Sequence, residues 1–249
     1  MKLIEVKDYH EMSQVAADYL LSNIKKSDKL TLGLATGGTP QGLYEALIQD
    51  HKENNTSYQY VSSFNLDEYI GLSGDQPNSY CHYMKENLFN HINIRSENTH
   101  IPSGKAVDLV GECKAYDHMI ESCGGIDLQV LGIGSNGHIG FNEPGTSFDS
   151  ETHIVELAQS TREANARYFD STDEVPTHAI TMGIATILKS KEILLLISGQ
   201  AKQEALKKLM EGEVSEDFPA SILNRHPNVT VIADEEALTL VEDLKQLNK

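Results

Sequence analysis

The feature that most restricts the fold of this chain is a regular alternation of short apolar segments with longer amphipathic ones. The short segments are rich in leucine and β-branched residues and are mostly apolar without strict alternation, which is typical of strands covered on both faces. They comprise residues 30–35, 61–66, 126–133, 178–182, 193–198 and 229–233.

Longer segments with a helical pattern lie between these predicted strands, at residues 9–25, 40–51, 79–91, 109–123, 200–210 and 235–247. In the last of them, apolar side chains recur at the spacing of one packed helix face. This order of strands and helices predicts an α/β fold with an open, mostly parallel, Rossmann-like sheet and helices on both faces. Residues 149–177 and 211–226 have weak periodicity and are predicted as loops, with a lid at 149–177.

Composition and charge restrict the domain count and the partners. The 249 residues contain no Pro- or Ser-rich linker, repeat or low-complexity tract, so a single domain over residues 1–249 is expected. The net charge of −17 argues against a nucleic-acid partner or an anionic membrane surface, since both require a basic face. An anionic ligand would therefore need a locally positive pocket of Lys, Arg and backbone N–H groups.

Cysteine usage indicates the compartment. Cys81, Cys113 and Cys123 are an odd number and form no C-x-x-C pair, which favours reduced thiols over a disulfide framework. The first residues lack the apolar core of a signal peptide, and no apolar run approaches the ~18–20 residues of a membrane span. The expected location is the cytoplasm.

A glycine-rich segment follows the predicted strand at 126–133. Gly132, Gly134 and Gly137 match the G-x-G-x-x-G fingerprint of dinucleotide sites, which requires that a helix begin at the last glycine. Two further glycines and a proline follow by residue 145, and this argues against a helix. The segment is instead predicted to be a loop at the end of a strand.

The same loop carries Asn136, His138 and Glu143, which are an amide, an imidazole and a carboxylate. A carboxylate on one ring nitrogen of a histidine fixes its tautomer and raises its basicity, as acid–base chemistry near neutral pH requires. The ordinary alternative is a structural histidine in a loop. The surrounding glycines favour a functional role because they remove steric bulk around the ring.

The loop after the first predicted strand has the composition of an anion cradle. Its glycines let the backbone approach a ligand, and its threonines add hydroxyl donors at the start of a helix. The alternative is an ordinary strand-to-helix turn capped by Thr39. It is not a Walker A loop, since the Gly-Lys-Ser/Thr ending is missing. Its residues are Thr36, Gly37, Gly38, Thr39 and Pro40.

Three further charged positions are candidates. Asp67, which Glu68 follows, comes directly after a predicted strand and could act as a general base, although a solvated turn is the simpler alternative. Arg167 lies in a helix-like stretch, and Lys202 lies in the first turn of another, where an anion would offset its unfavourable position on the helix dipole. A solvated lysine is the alternative there. The histidines show no ligand spacing for a metal.

Five sequence blocks together resemble the glucosamine-6-phosphate deaminase family, in family order. FNLDEYIGL and GHIGFNEP are specific to that family, whereas TGGTP is shared with 6-phosphogluconolactonases. The resemblance implies conversion of glucosamine 6-phosphate and water to fructose 6-phosphate and ammonia, in amino-sugar catabolism and without metal or organic cofactor. The blocks are LGLATGGTP at 32–40, FNLDEYIGL at 64–72, GIGSNGHIGFNEPG at 132–145, residues 162–169 and SGQAK at 198–202.

The resemblance also implies roles for single residues. Asp67 corresponds to the base that moves the proton from C2 to C1, and His138, supported by Glu143, to the acid–base group that opens the pyranose ring. Some relatives have aspartate where this chain has Asn136, which can orient the histidine but cannot stabilise its charge. The family's phosphate-binding positions correspond to Thr36, Gly37, Gly38, Thr39, Arg167 and Lys202.

Some properties stay open at this level. Longer, hexameric relatives respond to an N-acetylated sugar phosphate at subunit interfaces, and the resemblance does not decide whether this chain is regulated or whether it is a monomer or a homo-oligomer. Two other functions remain to be tested. A 6-phosphogluconolactonase would share the anion cradle and hydrolyse an ester, and a non-catalytic sugar-phosphate sensor would bind without turnover.

Overall fold

The computed structural model describes residues 1–169 and 171–247, and its centre is a seven-stranded parallel sheet with strand order β1-β10-β9-β6-β2-β3-β5. A separate three-stranded antiparallel sheet has the order β4-β8-β7. The strands are β1 (Lys2–Val6), β2 (Leu30–Leu34), β3 (Val61–Asn65), β4 (Asp67–Tyr69), β5 (Thr99–His100), β6 (Leu128–Gly132), β7 (His153–Glu156), β8 (His178–Thr181), β9 (Glu192–Ile197) and β10 (Val229–Asp234).

Helices cover both faces of the parallel sheet, which confirms the predicted fold class. Successive strand residues point to opposite faces, so Val130 packs in the core on one side and Leu131 in the core on the other. Helices α1, α2 and α3 complete the first core, and α4, α6, α7 and α8 the second. The helices are α1 (Tyr9–Ile24), α2 (Gln41–Asn54), α3 (Tyr80–Asn87), α4 (Leu109–Ser122), α5 (Gln159–Asn165), α6 (Ile184–Leu188), α7 (Gln203–Glu211) and α8 (Glu235–Leu247).

The strand order reverses between β2 and β6, at the middle of the sheet. From β2 the chain proceeds outward through β3 to β5, and from β6 it proceeds the other way through β9 to β10, beside which the N-terminal strand β1 forms the edge of the sheet. Loops that leave the carboxyl ends of two such strands diverge and leave a crevice between them, where open α/β sheets bind their ligands. The loops that follow β2 and β6 therefore face each other.

The prediction was wrong about residues 178–182 as a member of the parallel sheet. They form β8, which pairs antiparallel with β4 and β7. A strand buried in the small sheet has the same apolar pattern as one buried in the main sheet, so the sequence does not distinguish them. The small sheet adjoins the main one, because the Met182 N–H donates to Leu66 O at 2.6 Å.

The predicted loops at 149–177 and 211–226 are also corrected. The first contains β7 and α5, and the second contains a 3-10 helix at Pro219–Arg225. Strand β1 was not predicted, because as an edge strand it is half exposed and carries charged residues between apolar ones. Helix α3 ends earlier than predicted, and a 3-10 turn at Phe89–His91 follows it.

Cys81, Cys113 and Cys123 are free thiols, in agreement with the prediction. Among the described helices, none combines the length and the apolar character that crossing a membrane requires.

Candidate active site

A cavity of about 660 Å³ opens at the carboxyl ends of β2, β3, β6 and β9. It brings together nearly all the predicted site residues, although they come from five separate parts of the chain. Glu143 is the exception, because it reaches the cavity through contacts with Asn136 and His138. The predicted residues that line the cavity are Thr36, Gly37, Gly38, Thr39, Asp67, Asn136, His138, Arg167 and Lys202.

The loop at 36–39 connects β2 to helix α2 and lines the cavity. Helix α2 has Pro40 at its N-cap, and no side chain makes a capping hydrogen bond there. The structure therefore contradicts the alternative in which Thr39 serves as a helix cap. The first N–H groups of a helix have no partner within the helix, and together with the dipole they favour an anion in this position.

Two tyrosine hydroxyls fix this loop. Tyr83 donates to Gly37 O at 2.6 Å, and Tyr9 donates to Gly38 O at 2.8 Å. Tyr9 also accepts the N–H of Gly42, in the first turn of α2, at 2.8 Å. In a trans peptide the C=O and N–H point in opposite directions, so the N–H groups of Gly38 and Thr39 point away from the two tyrosines. Neither tyrosine carries a motif signal in the sequence.

Asp67 is the first residue of β4, one residue after the end of β3, and its side chain is buried, with 6% of the residue exposed. Burial, and secondly the charge of Glu68, raises the pKa of its carboxyl to about 8. A carboxyl with a raised pKa in a cavity has the property expected of a general base near neutral pH. The sequence alternative of a solvated turn does not fit this degree of burial.

Glu68 points to a different environment from Asp67. Its Oε1 accepts the N–H groups of Tyr69 and Tyr80, and its Oε2 accepts that of Cys81 at 2.9 Å. Burial raises the pKa of the Glu68 carboxyl, while these three backbone donors act in the opposite direction. Glu68 thus anchors the first turn of α3 to β4, which is a structural role.

The loop after β6 contains no helix between Gly132 and His153. The glycines therefore match the dinucleotide fingerprint in sequence, but the helix that such a site requires is missing, as predicted. A Cβ on Gly134 would lie 2.2 Å from the imidazole of His138, and one on Gly137 would lie 2.1 Å from the Phe218 ring. Gly137 also has a φ of +87°. Gly134 therefore provides room for the His138 ring, and Gly137 provides room for Phe218 in a backbone conformation that favours glycine.

Glu143 is the ionic partner of His138, with Nδ1 and Oε2 3.5 Å apart. This distance exceeds that of a good hydrogen bond, so the contact is chiefly electrostatic. Shorter bonds come from Thr161 Oγ1 to Oε1 and from Asn136 Nδ2 to Oε2, both at 2.6 Å. Burial would raise the pKa of the Glu143 carboxyl, but His138, Thr161 and Asn136 lower it to about 2. The carboxylate is therefore ionised and held at both oxygens.

Asn136 touches His138 through the backbone. Its Oδ1 accepts the His138 N–H at 3.2 Å, while its amide donates to Glu143. It therefore fixes the position of the carboxylate and of the loop, and it supplies no second charge to the imidazole.

Two cations make the acidic chain locally positive at the cavity. Arg167 lies in the 3-10 turn Ala166–Tyr168 that continues α5, and Lys202 ends the 3-10 turn Gln200–Lys202 that follows β9. Burial lowers the pKa of the Lys202 ammonium. Asp234 holds the preceding loop by accepting the Gly199 N–H at 3.0 Å. The alternative of a fully solvated lysine does not fit this placement.

Aromatic residues that the sequence reasoning missed form a wall of the cavity. Tyr69 and Tyr80 have ring centroids 4.7 Å apart, and Tyr80 stacks on Phe141 at 6.1 Å. Phe169 contacts the edge of Tyr69 at 5.7 Å. Tyr69 lies two residues after Asp67, but nothing in the spacing of the other three predicts that they meet.

In the part of the chain that the structure describes, no group of three or more His, Cys, Asp or Glu could hold a metal ion.

Comparisons with known proteins show the family of this chain. The family model described as glucosamine-6-phosphate isomerases/6-phosphogluconolactonase matches residues 7–232. A glucosamine-6-phosphate deaminase of Shouchella clausii is 62% identical over 240 residues, which cover 96% of this chain and 97% of the relative. Glucosamine-6-phosphate deaminase 1 of Bacillus subtilis is 55% identical over 240 residues, with coverage of 96% and 99%.

Solved structures give the same result. The structure of a monomeric glucosamine-6-phosphate deaminase matches with a TM-score of 0.95 at 55% identity, covering 96% of this chain and 100% of that one. A 6-phosphogluconolactonase from Trypanosoma brucei matches with a TM-score of 0.77 at 18% identity, covering 96% and 97%, which shows a shared fold alone. The chain belongs to the glucosamine-6-phosphate isomerase/6-phosphogluconolactonase family.

Proposed function

We propose that this protein is a glucosamine-6-phosphate deaminase, which converts glucosamine 6-phosphate and water to fructose 6-phosphate and ammonia. The observation that carries the proposal is the buried carboxyl of Asp67, which shares one cavity with a cradle for an anion and an imidazole–carboxylate pair. The relatives that are 55–62% identical over nearly their whole length bear this name. A cytoplasmic location remains a prediction.

The phosphate group is bound at the loop 36–39. Its threonine hydroxyls and backbone N–H groups supply hydrogen bonds, and Arg167 and Lys202 supply positive charge. Because the phosphate does not react, its binding energy serves to orient the sugar at the other end of the cavity. We infer that residues 149–177, which include Arg167, act as a lid over the bound sugar.

Ring opening is assigned to His138. The imidazole takes the proton of the C1 hydroxyl and delivers a proton to the ring oxygen, so the C1–O5 bond breaks and the aldehyde forms without net change in charge. Glu143 stabilises the protonated imidazole, as its ionised carboxylate lies 3.5 Å from Nδ1. Asn136 keeps that carboxylate in place.

Isomerisation and deamination are assigned to Asp67. The Asp67 carboxylate removes the C2 proton of the open-chain 2-ammonio aldehyde while one proton of the ammonium passes to O1, giving a neutral enolamine. The protonated Asp67 then returns its proton to C1. The product is the C2 iminium of the ketose, and water adds to C2 and expels ammonia. The raised pKa of Asp67 suits a base that must first accept this proton and then release it.

The two other candidate functions, hydrolysis of 6-phosphogluconolactone and binding of a sugar phosphate without turnover, require fewer reacting groups in the cavity. Lactone hydrolysis needs no base placed at C2, and a sensor needs no base at all, so neither accounts for the burial of Asp67 in the cavity. The test is a coupled assay for fructose 6-phosphate and ammonia, without added metal or organic cofactor, beside an assay with 6-phosphogluconolactone. We expect ammonia release. Hydrolysis of the lactone alone, or binding of glucosamine 6-phosphate without turnover, would overturn the proposal.

A further inference from the structure

A threonine of α5 makes a short contact with the carboxylate behind the imidazole. Thr161 is 8% exposed, and its hydroxyl donates to Glu143 Oε1 at 2.6 Å. The other oxygen of this carboxylate accepts the Asn136 amide at 2.6 Å and lies 3.5 Å from His138 Nδ1. Thr161 therefore holds the oxygen that the histidine does not use.

We propose that Thr161 is a positioning residue for ring opening, which sets the orientation of the Glu143 carboxylate and couples it to the placement of α5. This inference rests on the proposed function, since it assigns a task within the same reaction. A carboxylate that is bonded at both oxygens is fixed in its rotation, whereas one bonded at a single oxygen can turn.

The coupling follows from the chain path. Thr161 lies in α5 (Gln159–Asn165), and the 3-10 turn that contains Arg167 begins at the next residue, Ala166. The same short stretch of chain thus carries both a cation that lines the cavity and the hydroxyl that bonds Glu143. Asn136, the other donor to Glu143, comes from the loop after β6 and not from α5.

Among the residues that the structure describes, the side chains that face the Glu143 carboxylate are His138, Asn136 and Thr161. Arg162, the residue next to Thr161, is directed elsewhere, since its guanidinium donates to the backbone oxygens of Thr172 and Val175. Loss of the Thr161 hydroxyl would therefore leave Glu143 Oε1 without a protein donor among these groups.

The test compares Thr161→Val, which keeps the volume and removes the hydroxyl, with Thr161→Ser, which keeps the hydroxyl. We expect Thr161→Val to lower kcat for glucosamine 6-phosphate about ten-fold or more, with KM changed less than about three-fold. We expect Thr161→Ser to retain most of kcat. Binding of an acyclic amino-alditol 6-phosphate, which needs no ring opening, should change by less than about two-fold in both variants.

Three results would overturn this role. One is an unchanged kcat in Thr161→Val, and another is failure of Thr161→Ser to retain activity. The third is an equal loss of acyclic-analogue binding, which would indicate a general structural effect. If the wild-type enzyme releases no ammonia, the proposed function itself is wrong. An active wild type with an unaffected Thr161→Val variant overturns only the role of Thr161.

The coupling to α5 has its own readout in a double-mutant cycle. We expect Arg167→Ala to reduce kcat less in the Thr161→Val background than in the wild type, by at least about three-fold. Strictly multiplicative effects on kcat would mean that Thr161 does not transmit the placement of α5, and would overturn that half of the proposal.

Discussion

Asp67 and Glu68 are neighbouring carboxylates on β4 whose side chains lie in different surroundings. Asp67 lines the cavity, and Glu68 accepts three backbone N–H groups, two of which belong to the first turn of α3. Successive side chains of a strand point to opposite faces, so one short strand separates a reacting group from a structural one. The anchored Glu68 in turn fixes β4, and with it the position of Asp67.

Asp67→Asn is expected to abolish turnover and to make the protein more stable. The amide cannot accept the C2 proton, so exchange of the C2 hydrogen with solvent should disappear while inorganic phosphate still competes for the cradle. Burial raises the pKa of Asp67 from its ordinary value to about 8 in the folded state, so its ionisation costs stability. This cost is absent below about pH 4 and grows as the pH rises to 8.

The stability gain can be measured by thermal unfolding at pH 5 and pH 8. We expect the Tm of Asp67→Asn to exceed that of the wild type by at least roughly 2 °C at pH 8, and by less at pH 5. Glu68→Gln is the matched control: it replaces an acceptor of three N–H groups and should destabilise the fold by about 1–3 kcal/mol. Retained C2 exchange in Asp67→Asn would contradict the base assignment.

The pH dependence of the reaction is expected to report the ionisation of Asp67. The base must be ionised to take the C2 proton, so kcat/KM should rise with pH and level off above about pH 8. The same pH dependence is measured with a substrate deuterated at C2. Only proton abstraction carries an isotope effect, so the effect on kcat/KM shows whether that step limits the rate over the pH range in which kcat/KM rises. If kcat/KM has already reached its plateau below pH 6, the raised pKa of Asp67 is contradicted.

His138→Gln is expected to impair the closed-ring substrate more than binding of an open-chain compound. The amide keeps a polar side chain in the loop but cannot shuttle a proton, so kcat should fall about 100-fold or more. Binding of the acyclic amino-alditol 6-phosphate, measured by calorimetry, should remain within about three-fold of the wild type. Equal losses in both measurements would count against a role in ring opening.

The main sheet and the reacting groups were predictable from the sequence because they depend on local patterns. Strands β2, β6 and β10 are buried on both faces, so their residues are mostly apolar and do not alternate strictly with polar ones. Asp67 and His138 follow strand ends, where the fold class itself predicts the ligand crevice.

The supporting contacts could not be predicted because they join distant parts of the chain. Tyr9 and Gly38 are 29 positions apart, and Tyr83 and Gly37 are 46 apart. Thr161 reaches Glu143 from a helix of seven residues inside a segment without clear periodicity. The tertiary fold determines which group a tyrosine or threonine hydroxyl bonds, so the spacing of residues in the sequence does not predict the partner.

Removal of the tyrosine hydroxyls that hold the loop 36–39 is expected to weaken phosphate binding. Tyr83→Phe and Tyr9→Phe each free a backbone carbonyl, so the N–H groups of the next residues lose their fixed direction. Each loss should raise KM and the inhibition constant of inorganic phosphate about three- to ten-fold, with kcat changed much less. Tyr60, which is 62% exposed, provides Tyr60→Phe as the control. If both variants bind phosphate as Tyr60→Phe does, the cradle is rigid without its tyrosines. If kcat falls while KM stays constant, the hydroxyls act on the reaction rather than on the phosphate.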